Sequence, residues 1–486
     1  MSSDRNNSKG FPISRRRLLG ASAAGLGLAA LPALPARVGV GAEARAYSLA
    51  PAPARVRLLA DPKVGPADVW AFSGSVPGPV VRARQGERLA IRLGNGLEQP
   101  TTLHCHGLRL PNGMDGVPEL TQAPVAPGGS FVYEFDLPDA GTYWYHPHTQ
   151  TSEQVGRGLY GALIVEEAEP PKVDREMVWV MDDWRIDDAG ALTAEFNHPH
   201  DVSHGGRIGN LITVNGAELE DVPVQAGERI RLRLINAANG RVFGLKFEGL
   251  DPQIIAIDGH PVAPHAPEAG RVVMGPGQRR DLIIDMAGKP GERLAVVDDY
   301  YDRFAYTFAT FVHEPGKALR SSPLDAKLAL ADNPLPEPDL AGAVASDIVI
   351  EGGAMGGLRE AMYQGDRLSL MDLWRKHGKV WVLNGVASSG FTEDPMFKLK
   401  RGQSYRWRLK NDTAWDHPMH LHGHAFRILT RNGKPVAHRP WSDTVLLHTD
   451  DEVEIAFVAD NPGKWLFHCH VLEHHFGGMG TVVDVA

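Results

Sequence analysis

The chain has 486 residues, enough for about three domains at the usual ~100 to 200 residues each. Its 43% hydrophobic and 22% charged residues are typical of a soluble globular protein, neither largely disordered nor built of many membrane spans. The 21 histidines accompany only 2 cysteines, too few for a disulfide scaffold, a four-cysteine zinc module or a ligated iron–sulfur cluster. Histidine is therefore the residue type to follow along the chain.

The first 46 residues form a predicted export signal. Residues 14–19 are Ser-Arg-Arg-Arg-Leu-Leu, which looks like a twin-arginine motif, and residues 18–34 form an apolar run diluted by Gly and Ala. That run is too weakly apolar to predict a membrane span, and no later stretch is long and apolar enough for one. Ala44 and Ala46, small residues separated by one position, suit a cleavage site, and an uncleaved N-terminal anchor is the alternative.

Removal of this segment leaves an acidic protein. The segment carries five more basic than acidic residues, so the formal net charge of −9 becomes −14 without it. An acidic chain argues against a nucleic-acid partner. Because the twin-arginine route exports folded proteins, the signal predicts a periplasmic or secreted protein that acquires a cofactor before export.

An internal repeat indicates the architecture. Three segments align without gaps, each with a turn glycine, alternating apolar and polar residues, and an Asn nine positions after the glycine: residues 84–95, 225–236 and 400–411. This pattern predicts a strand with one buried face after a tight turn. Residues 141–146 and 463–468 also match each other, and each has a His five positions after a Gly. The middle unit has no His at the corresponding position.

Three units of about 150 residues predict an all-β protein of three tandem β-sandwich domains. We place the domains at residues 47–168, 169–340 and 341–486, with a Pro- and Ala-containing linker at 321–340. Residues 355–377 do not fit the strand pattern and are predicted to hold a short helix on the surface of the third domain.

Ten of the 21 histidines fall into four clusters, at matching places in the first and third repeats. The clusters are His104-Cys-His106, His146-Pro-His148, His417-Pro-Met-His420-Leu-His422, and His468-Cys-His470 with His474. Because residues two apart point to the same side of a strand, a His-x-His pair directs two imidazoles at one metal-filled gap. Eight of these histidines are therefore expected to line one seam between the first and third domains.

The fourth cluster predicts a second kind of metal site. Alternation turns Cys469 away from the two histidines that flank it. His474 follows five residues after the cysteine, Met479 follows ten residues after it, and His417 comes from the adjacent loop. Two imidazoles, a thiolate and a weak thioether are the donors of a blue-copper electron-transfer site, and this set disfavours zinc.

The order of the clusters and the spacing of Cys469, His474 and Met479 resemble the multicopper oxidases, especially the three-domain bacterial laccase and cuprous oxidase branch. The resemblance covers essentially the whole mature chain, including Trp441-Ser-Asp443-Thr-Val, and implies cupredoxin-like Greek-key domains. It also implies four copper ions: type 1 with His417, Cys469, His474 and Met479; type 2 with His104 and His420; one type 3 with His106, His146 and His470; the other type 3 with His148, His422 and His468. The middle domain, without ligands, is expected to be a structural spacer.

The resemblance further implies the reaction. Such an enzyme accepts four single electrons from a reducing substrate at the type 1 site, transfers them through Cys469 and its flanking histidines, and reduces O2 to water at the other three coppers. The expected partners are O2 and a reductant, either a phenol or aromatic amine or Cu(I). We expect a monomer with no membrane span after signal cleavage.

Proton delivery requires an acid near the three-copper cluster. Asp115 matches a family acid proposed for that role, and its alternative role is to cap a turn before Gly116. A second acid of the bacterial branch, which follows the last type 1 histidine, is replaced here by His475. Either His475 or Glu473 is the candidate substitute.

Other candidates have ordinary structural interpretations. Cys105 lies between two ligand histidines, but no His follows five residues later, so a buried free thiol is expected. His198, His200 and His204 could bind a surface metal, but their Pro, Asp and Gly neighbours predict a solvent-exposed loop.

The sequence leaves the substrate open. Cuprous oxidases of this branch often carry a Met-rich insert near the type 1 copper, whereas the comparable stretch here has only Met355, Met362 and Met371. Asp412 or Asp416, just before the third histidine cluster, either orients an aromatic reductant or caps a loop. Laccase-like oxidation and periplasmic Cu(I) oxidation for copper tolerance are both compatible with these residues. A copper nitrite reductase, with two domains and a lone type 2 copper, and a non-catalytic scaffold fit the ten-histidine set poorly.

Overall fold

Strands dominate the part of the chain that the structure describes. The computed structural model describes residues 44–219, 221–390 and 394–486. The predicted twin-arginine motif lies outside these residues. The predicted signal boundary at 46 falls within the first strand, β1 (Arg45–Leu49), and the cleavage position stays a prediction. The described ranges contain no helix that is long and apolar enough to cross a membrane.

The described residues before 170 form two sheets and a separate strand pair. Besides β1 the elements are β2 (Pro51–Val56), β3 (Ala67–Phe72), β4 (Val81–Arg84), β5 (Arg88–Gly94), β6 (His104–His106), a 3-10 turn (Asn112–Met114), β7 (Ser130–Asp136), β8 (Gly141–His146), α1 (Thr151–Gly156) and β9 (Gly161–Glu166). One sheet has the order β1-β5-β7, the other has the order β4-β9-β8-β6, and β2 pairs with β3. The first two histidine clusters begin on the adjacent strands β6 and β8.

The middle part of the chain forms a sandwich of two larger sheets. Its elements are β10 (Arg175–Trp184), α2 (Pro199–Ser203), β11 (Leu211–Val214), β12 (Asp221–Val224), β13 (Arg229–Asn236), β14 (Phe243–Phe247), β15 (Gln253–Ile257), β16 (His260–His265), a 3-10 turn (Glu268–Gly270), β17 (Val272–Met274), β18 (Arg279–Asp285), β19 (Arg293–Asp298), a 3-10 turn (Asp302–Phe304) and β20 (Tyr306–His313). The sheet orders are β11-β10-β13-β18-β15-β16 and β12-β20-β19-β14-β17.

The last part repeats this architecture. Its elements are β21 (Val344–Gly352), β22 (Glu360–Tyr363), β23 (Asp366–Ser369), α3 (Leu370–His377), β24 (Trp381–Leu383), β25 (Phe397–Leu399), β26 (Ser404–Asp412), β27 (His417–Leu421), β28 (Phe426–Arg431), β29 (Lys434–Pro435), β30 (Trp441–Ser442), β31 (Thr444–Leu447), β32 (Glu452–Val458), β33 (Gly463–Cys469), α4 (Leu472–Phe476) and β34 (Gly480–Val485). The main sheets are β24-β21-β26-β32-β28-β29, with β30 beside β28, and β25-β34-β33-β27-β31, while β22 pairs with β23.

The three aligned repeats form the corresponding strands β5, β13 and β26. Each begins after a glycine in the left-handed region, for example Gly227 with φ of +80°, where a Cβ would lie 2.3 Å from the carbonyl oxygen of Arg320. The Asn at the end of each repeat accepts a hydrogen bond from the backbone amide two residues later, which turns the chain out of the strand. These Oδ1-to-amide distances are 2.9 Å for Asn95 and Leu97, 3.0 Å for Asn236 and Ala238, and 3.2 Å for Asn411 and Thr413. The prediction of an all-β protein is confirmed.

The short helix predicted within residues 355–377 is α3. The Ser369 hydroxyl caps its start by accepting the Asp372 amide at 3.1 Å, and Gly378 ends it with φ of +67°. The described segment 314–343, between β20 and β21, holds neither strand nor helix and contains the boundary that we predict at 340.

A buried charge network joins the first and middle parts of the chain. Asp281 on β18 accepts hydrogen bonds from Arg231 at 2.6 Å, Arg233 at 2.9 Å and the Thr142 hydroxyl at 2.5 Å. Glu167, after β9, binds the other side of Arg231 at 2.6 Å. Burial alone would raise the pKa of Asp281, but the adjacent guanidinium groups hold that pKa below its ordinary value. Asp281 therefore stays ionised between two buried cations.

Replacement of Asp281 by Ala would leave Arg231 and Arg233 buried without this counter-charge. Loss of one partner from a buried ion pair costs about 3–5 kcal/mol, so we expect a lower denaturant midpoint for Asp281→Ala. The matched control is Asp347→Ala, which removes an exposed partner of Arg408 and should leave the midpoint almost unchanged. Equal midpoints for the two variants would contradict the role of the network.

Candidate metal centres

The four histidine clusters lie on two antiparallel strand pairs and on the residues that directly follow three of these strands. On β6 and β8, His104 is opposite His146. On β27 and β33, His420 is opposite His468, and Met419 is opposite Cys469. Side chains that are opposite each other lie on the same face of a sheet, so each pair presents imidazoles from both of its strands to one side.

Eight histidines from these pairs meet in one buried cluster. Their side chains are at most 2% exposed, and the members are His104, His106, His146, His148, His420, His422, His468 and His470. Rings from the two strand pairs interleave: His106 stacks on His420 with ring centroids 3.7 Å apart, and His104 stacks on His422 at 4.0 Å. The structure thus brings together all eight histidines that the sequence assigned to one seam.

The backbone fixes four of these rings in one tautomer. Their Nδ1 atoms lie 2.7–2.9 Å from carbonyl oxygens, in the pairs His104 with Asp115, His146 with Pro147, His420 with Asp443, and His468 with Cys469. A carbonyl oxygen can only accept, so Nδ1 carries the proton and Nε2 keeps its lone pair. Within the described ranges, the buried Nε2 atoms of His104, His146 and His420 have no hydrogen-bond partner. Such lone pairs fit a metal ion.

Burial keeps six histidines of the cluster neutral. Desolvation first, and then neighbouring imidazoles, hold the histidine pKa values well below the ordinary 6.5; the residues affected are His106, His146, His148, His422, His468 and His470. Neutral imidazole is the form that binds metals, so at neutral pH no proton has to leave these rings. The ligand nitrogens of His148, His422 and His468 lie within 4.8 Å of one another, as do those of His104, His106 and His146.

Asp115 lies against the cluster. Its Oδ2 accepts the Nδ1 proton of His422 at 2.9 Å, and its Oδ1 lies 3.2 Å from Nδ1 of His104. The carboxylate is 1% exposed and faces these two imidazoles. The carboxylate therefore contacts two rings of the cluster directly.

Asp443 and Arg279 are neighbours of the cluster that the sequence reasoning did not single out for a role. Asp443 accepts the Nε2 proton of His106 at 3.0 Å, which leaves Nδ1 of that ring as the metal-binding atom. Arg279 of the middle part binds both oxygens of Asp443, at 2.8 and 2.5 Å. Burial would raise the pKa of Asp443, but the Arg279 charge and the hydrogen bonds hold that pKa well below its ordinary range.

The second site faces the opposite side of β33. Cys469 Sγ lies 3.6 Å from Nδ1 of His417 and 3.6 Å from Nδ1 of His474, and these nitrogens are 3.0 Å apart. Met479 is fully buried, and its carbonyl oxygen accepts the Cys469 amide at 3.1 Å. The structure therefore gathers the predicted cysteine and both histidines, with the methionine backbone beside them.

Outer hydrogen bonds orient the two imidazoles of this second site. Nε2 of His417 lies 2.8 Å from the Thr413 hydroxyl, and Nε2 of His474 donates to the carbonyl oxygen of His204 at 2.5 Å. His474 Nδ1 thus keeps its lone pair towards the sulfur. Burial raises the pKa of Cys469, so metal binding has to release the thiol proton.

His204 corrects the prediction of an exposed loop around residues 198–204. Residues Pro199–Ser203 form the short helix α2, and His204 is half-buried beside the second site. The prediction failed because the partner that covers this segment, His474, is 270 residues away in sequence. His200 is exposed, as predicted, and its ring stacks on that of His204 at 3.9 Å.

The two candidate proton donors differ in their surroundings. Glu473 is buried and accepts hydrogen bonds from the Asn239 side chain at 2.8 Å and the Arg207 amide at 3.1 Å. His475 packs on the cluster, with its ring centroid 4.5 Å from that of His468 and 5.7 Å from that of His148. The structure therefore brings His475, rather than Glu473, into ring contact with the cluster.

Cys105 is a buried free thiol, as predicted. Burial raises the pKa of Cys105 well above its ordinary value. Among the described residues, the cysteine found with two histidines in metal-binding geometry is Cys469, and no such group includes Cys105.

Comparison with known proteins identifies the family. Models described as multicopper oxidase match residues 58–170, 175–313 and 367–486. The chain is also 30% identical to multicopper oxidase MmcO of Mycobacterium tuberculosis, over 97% of this chain and 96% of that protein. The chain belongs to the multicopper oxidase family. It is a copper-dependent oxidoreductase that couples one-electron oxidations of a reducing substrate to the reduction of O2.

Solved structures agree with this assignment. The multicopper oxidase of Pseudomonas thermotolerans has a TM-score of 0.79 at 33% identity, over 92% of this chain and 100% of that one. A laccase-like multicopper oxidase of Ochrobactrum sp., described as active towards lignin model compounds and lignosulfonate, has a TM-score of 0.74 at 26% identity, over 91% and 97% of the two chains. The predicted fold of three cupredoxin-like domains is confirmed.

The two cysteines provide a matched test of the second site. Copper bound to a cysteine thiolate in this donor set absorbs intensely near ~600 nm. We expect Cys469→Ser to abolish this band in copper-loaded protein and Cys105→Ser to retain it, because both side chains are buried but only Cys469 faces two imidazoles. A blue Cys469→Ser variant would contradict the assignment.

Proposed function

We propose that the two buried sites together hold four copper ions. The type 1 ligands are His417, Cys469, His474 and Met479; the type 2 ligands are His104 and His420; the type 3 ligands are His106, His146 and His470 for one ion and His148, His422 and His468 for the other. Support comes from the imidazole lone pairs that face one another and from the two 3.6 Å sulfur–nitrogen distances.

The position of Cys469 in β33 is the observation that carries this proposal. Its sulfur faces His417 and His474, while the histidines directly before and after it in the chain face the eight-ring cluster. One residue of covalent chain therefore joins the two sites in either direction, which is a short path for electrons. Copper supplies the one-electron chemistry and the reduction of O2, and the chain positions the ligands and controls access to them.

The proposed reductant is a phenol or an aromatic amine. With a phenol, each molecule loses one electron and one proton and becomes a phenoxyl radical. Four such oxidations supply the four electrons and four protons that convert one O2 into two waters. Because the oxygen chemistry takes place in a buried cluster, its protons have to pass through groups of the chain.

Asp115 is the proposed proton carrier. It contacts the Nδ1 atoms of His104 and His422, so a proton on its carboxyl group lies one imidazole away from the cluster interior. His475 is the proposed second carrier, in place of the acid found in the bacterial branch, because it packs on His468 and His148. Glu473 is held instead by groups of the middle domain.

A cavity of about 350 Å³ beside the type 1 site fits an aromatic reductant. His204 lines this cavity, and its carbonyl oxygen binds His474, so one peptide group separates the cavity from a proposed copper ligand. Trp415 and Tyr301 contribute aromatic walls and Asp416 contributes a carboxylate. Such a lining suits a planar ring with an O–H or N–H donor.

Asp416 is held in place for this role. It accepts the Tyr300 hydroxyl and lies 3.2 Å from Nδ1 of His448. Burial, and then the Asp416 charge, raise the pKa of Tyr300 well above its ordinary value, so this hydroxyl keeps its proton and donates. A carboxylate has about four acceptor positions, which leaves capacity for a reductant.

Met355 favours Cu(I) as a second candidate reductant. Its side chain is 77% exposed, and the carbonyl oxygen of the preceding Ala354 accepts the Trp415 indole N–H at 3.0 Å. A thioether thus lies on the chain next to the cavity wall, and soft sulfur ligands suit Cu(I). A role in copper tolerance would follow from this activity.

We further propose that the chain acts outside the cytoplasm as a monomer. The twin-arginine motif supports export in the folded state, to the periplasm or beyond. Every proposed copper ligand comes from one chain, so no second copy is required to complete either site.

Oxygen uptake with three reductants tests the proposed function. Copper-loaded enzyme is given Cu(I), a phenol or an aromatic amine, and O2 consumption is followed in each case. We expect uptake with the phenol and the amine, with four electrons used per O2 and no release of hydrogen peroxide. A strong preference for Cu(I) would favour copper tolerance, and fewer than four coppers without O2 uptake would contradict the oxidase mechanism.

A further inference from the structure

A second cavity of about 690 Å³ lies in the middle domain. It is bordered by β11, by the beginning of β20 and by the 3-10 turn before β20. Its walls are largely aromatic and aliphatic, and include Leu211, Ile212, Leu219, Phe304, Tyr306 and Phe308. None of the proposed copper ligands lines it.

The sandwich is open at this place because its two sheets end unevenly. Among the described strands, β11 pairs with β10 alone, so its other edge is uncovered. In the facing sheet, β12 pairs only with Thr310–His313 of β20, and the first half of β20 extends past it. No described strand closes the gap between these two edges, and the apolar interior of the domain borders the opening.

This cavity adjoins the one beside the type 1 site. Ile208 and Tyr301 line both, so they form a shared wall. The Tyr301 hydroxyl accepts a hydrogen bond from the Val242 amide at 3.3 Å. The Arg241 guanidinium lies over the Tyr301 ring, 5.6 Å from the ring centroid. Burial raises the pKa of Tyr301 to about 12, so the shared wall carries a neutral phenol at physiological pH.

The chemistry of the middle-domain cavity favours a neutral aromatic group. Its cation, Arg241, is already bound to Asp183 at 2.9 Å and to the Gly209 carbonyl at 2.9 Å. The pair contributes no net charge that would attract an anion, and the carboxylate in the lining, Glu218, accepts the Ala60 amide at 2.7 Å. Phe304 lines the cavity and is 77% exposed, so it extends the apolar wall of the cavity to the protein surface.

We propose that the middle-domain cavity binds the second ring of a two-ring aromatic reductant, whose oxidisable phenol or aniline ring lies beside His204 and Asp416. This inference rests on the proposed function, since it concerns the reductant of that same site. The cavity volume lies within the ~300–1,000 Å³ that is usual for small-molecule sites. The middle domain then contributes to substrate selection although it holds no copper.

Two phenols with the same oxidisable ring test this subsite. Ethylguaiacol and phenylethylguaiacol carry the same alkylated phenol and differ by one terminal phenyl ring, so their ease of oxidation is matched. We expect copper-loaded enzyme to show a kcat/KM about tenfold higher for phenylethylguaiacol, expressed mainly in KM, because burial of one apolar ring supplies that much binding.

Two variants test whether the preference for phenylethylguaiacol arises in the middle-domain cavity. Thr307 is exposed and lines the cavity, so Thr307→Trp fills it, while Phe304→Ala removes an exposed aromatic side chain without disturbing the core. Val132→Trp, on the exposed face of β7, is the matched control. We expect the kcat/KM ratio of the two phenols to fall towards one in Thr307→Trp, to fall partly in Phe304→Ala, and to stay unchanged in Val132→Trp.

Binding without turnover provides a second measurement. The methyl ether of phenylethylguaiacol cannot lose a phenolic proton, and its affinity by titration calorimetry should weaken about tenfold in Thr307→Trp. The inference is overturned if the unaltered enzyme treats the two phenols alike, or if its preference persists in both cavity variants. Absence of O2 uptake with both phenols would instead overturn the proposed function, and the inference with it.

Discussion

The alternation of side chains along β33 is the constraint on which both metal sites depend. A strand places successive side chains on opposite faces, so Cys469 faces one site while its two neighbours face the other. The partner strand β27 follows the same phase, because His420 is opposite His468 and Met419 is opposite Cys469. A slip of one residue between these strands would exchange the two faces of one strand relative to the other and separate the cysteine from His417.

This local rule yields a functional cluster only if the first and third domains are held in a fixed position relative to each other. The middle domain contributes to that position and is therefore more than the structural spacer that its lack of ligands suggested. Arg279 binds Asp443, which orients His106, and the His204 carbonyl orients His474. Burying the charges of Arg279 and Asp443 costs desolvation free energy. The pair holds Asp443 in place from the middle domain, and Asp443 fixes the tautomer of His106.

Features governed by local pattern could be predicted from the sequence. The Gly-led strands, the Asn at their ends, the helix α3 and the outward turn of Cys469 all follow from short-range geometry. The roles of His204 and Arg279 could not be predicted, because each depends on a partner more than 160 residues away. The middle-domain cavity could not be predicted either, because it arises where two sheets end unevenly and no sequence motif marks it.

Anomalous diffraction at the copper edge from crystals of the copper-loaded protein tests the central claim most directly. The predicted result is one peak between Cys469, His417 and His474, and three peaks among the eight histidines that include His468 and His470. The peaks would lie on opposite sides of β33. A single peak, or peaks on one side of that strand only, would contradict the assignment of two linked sites.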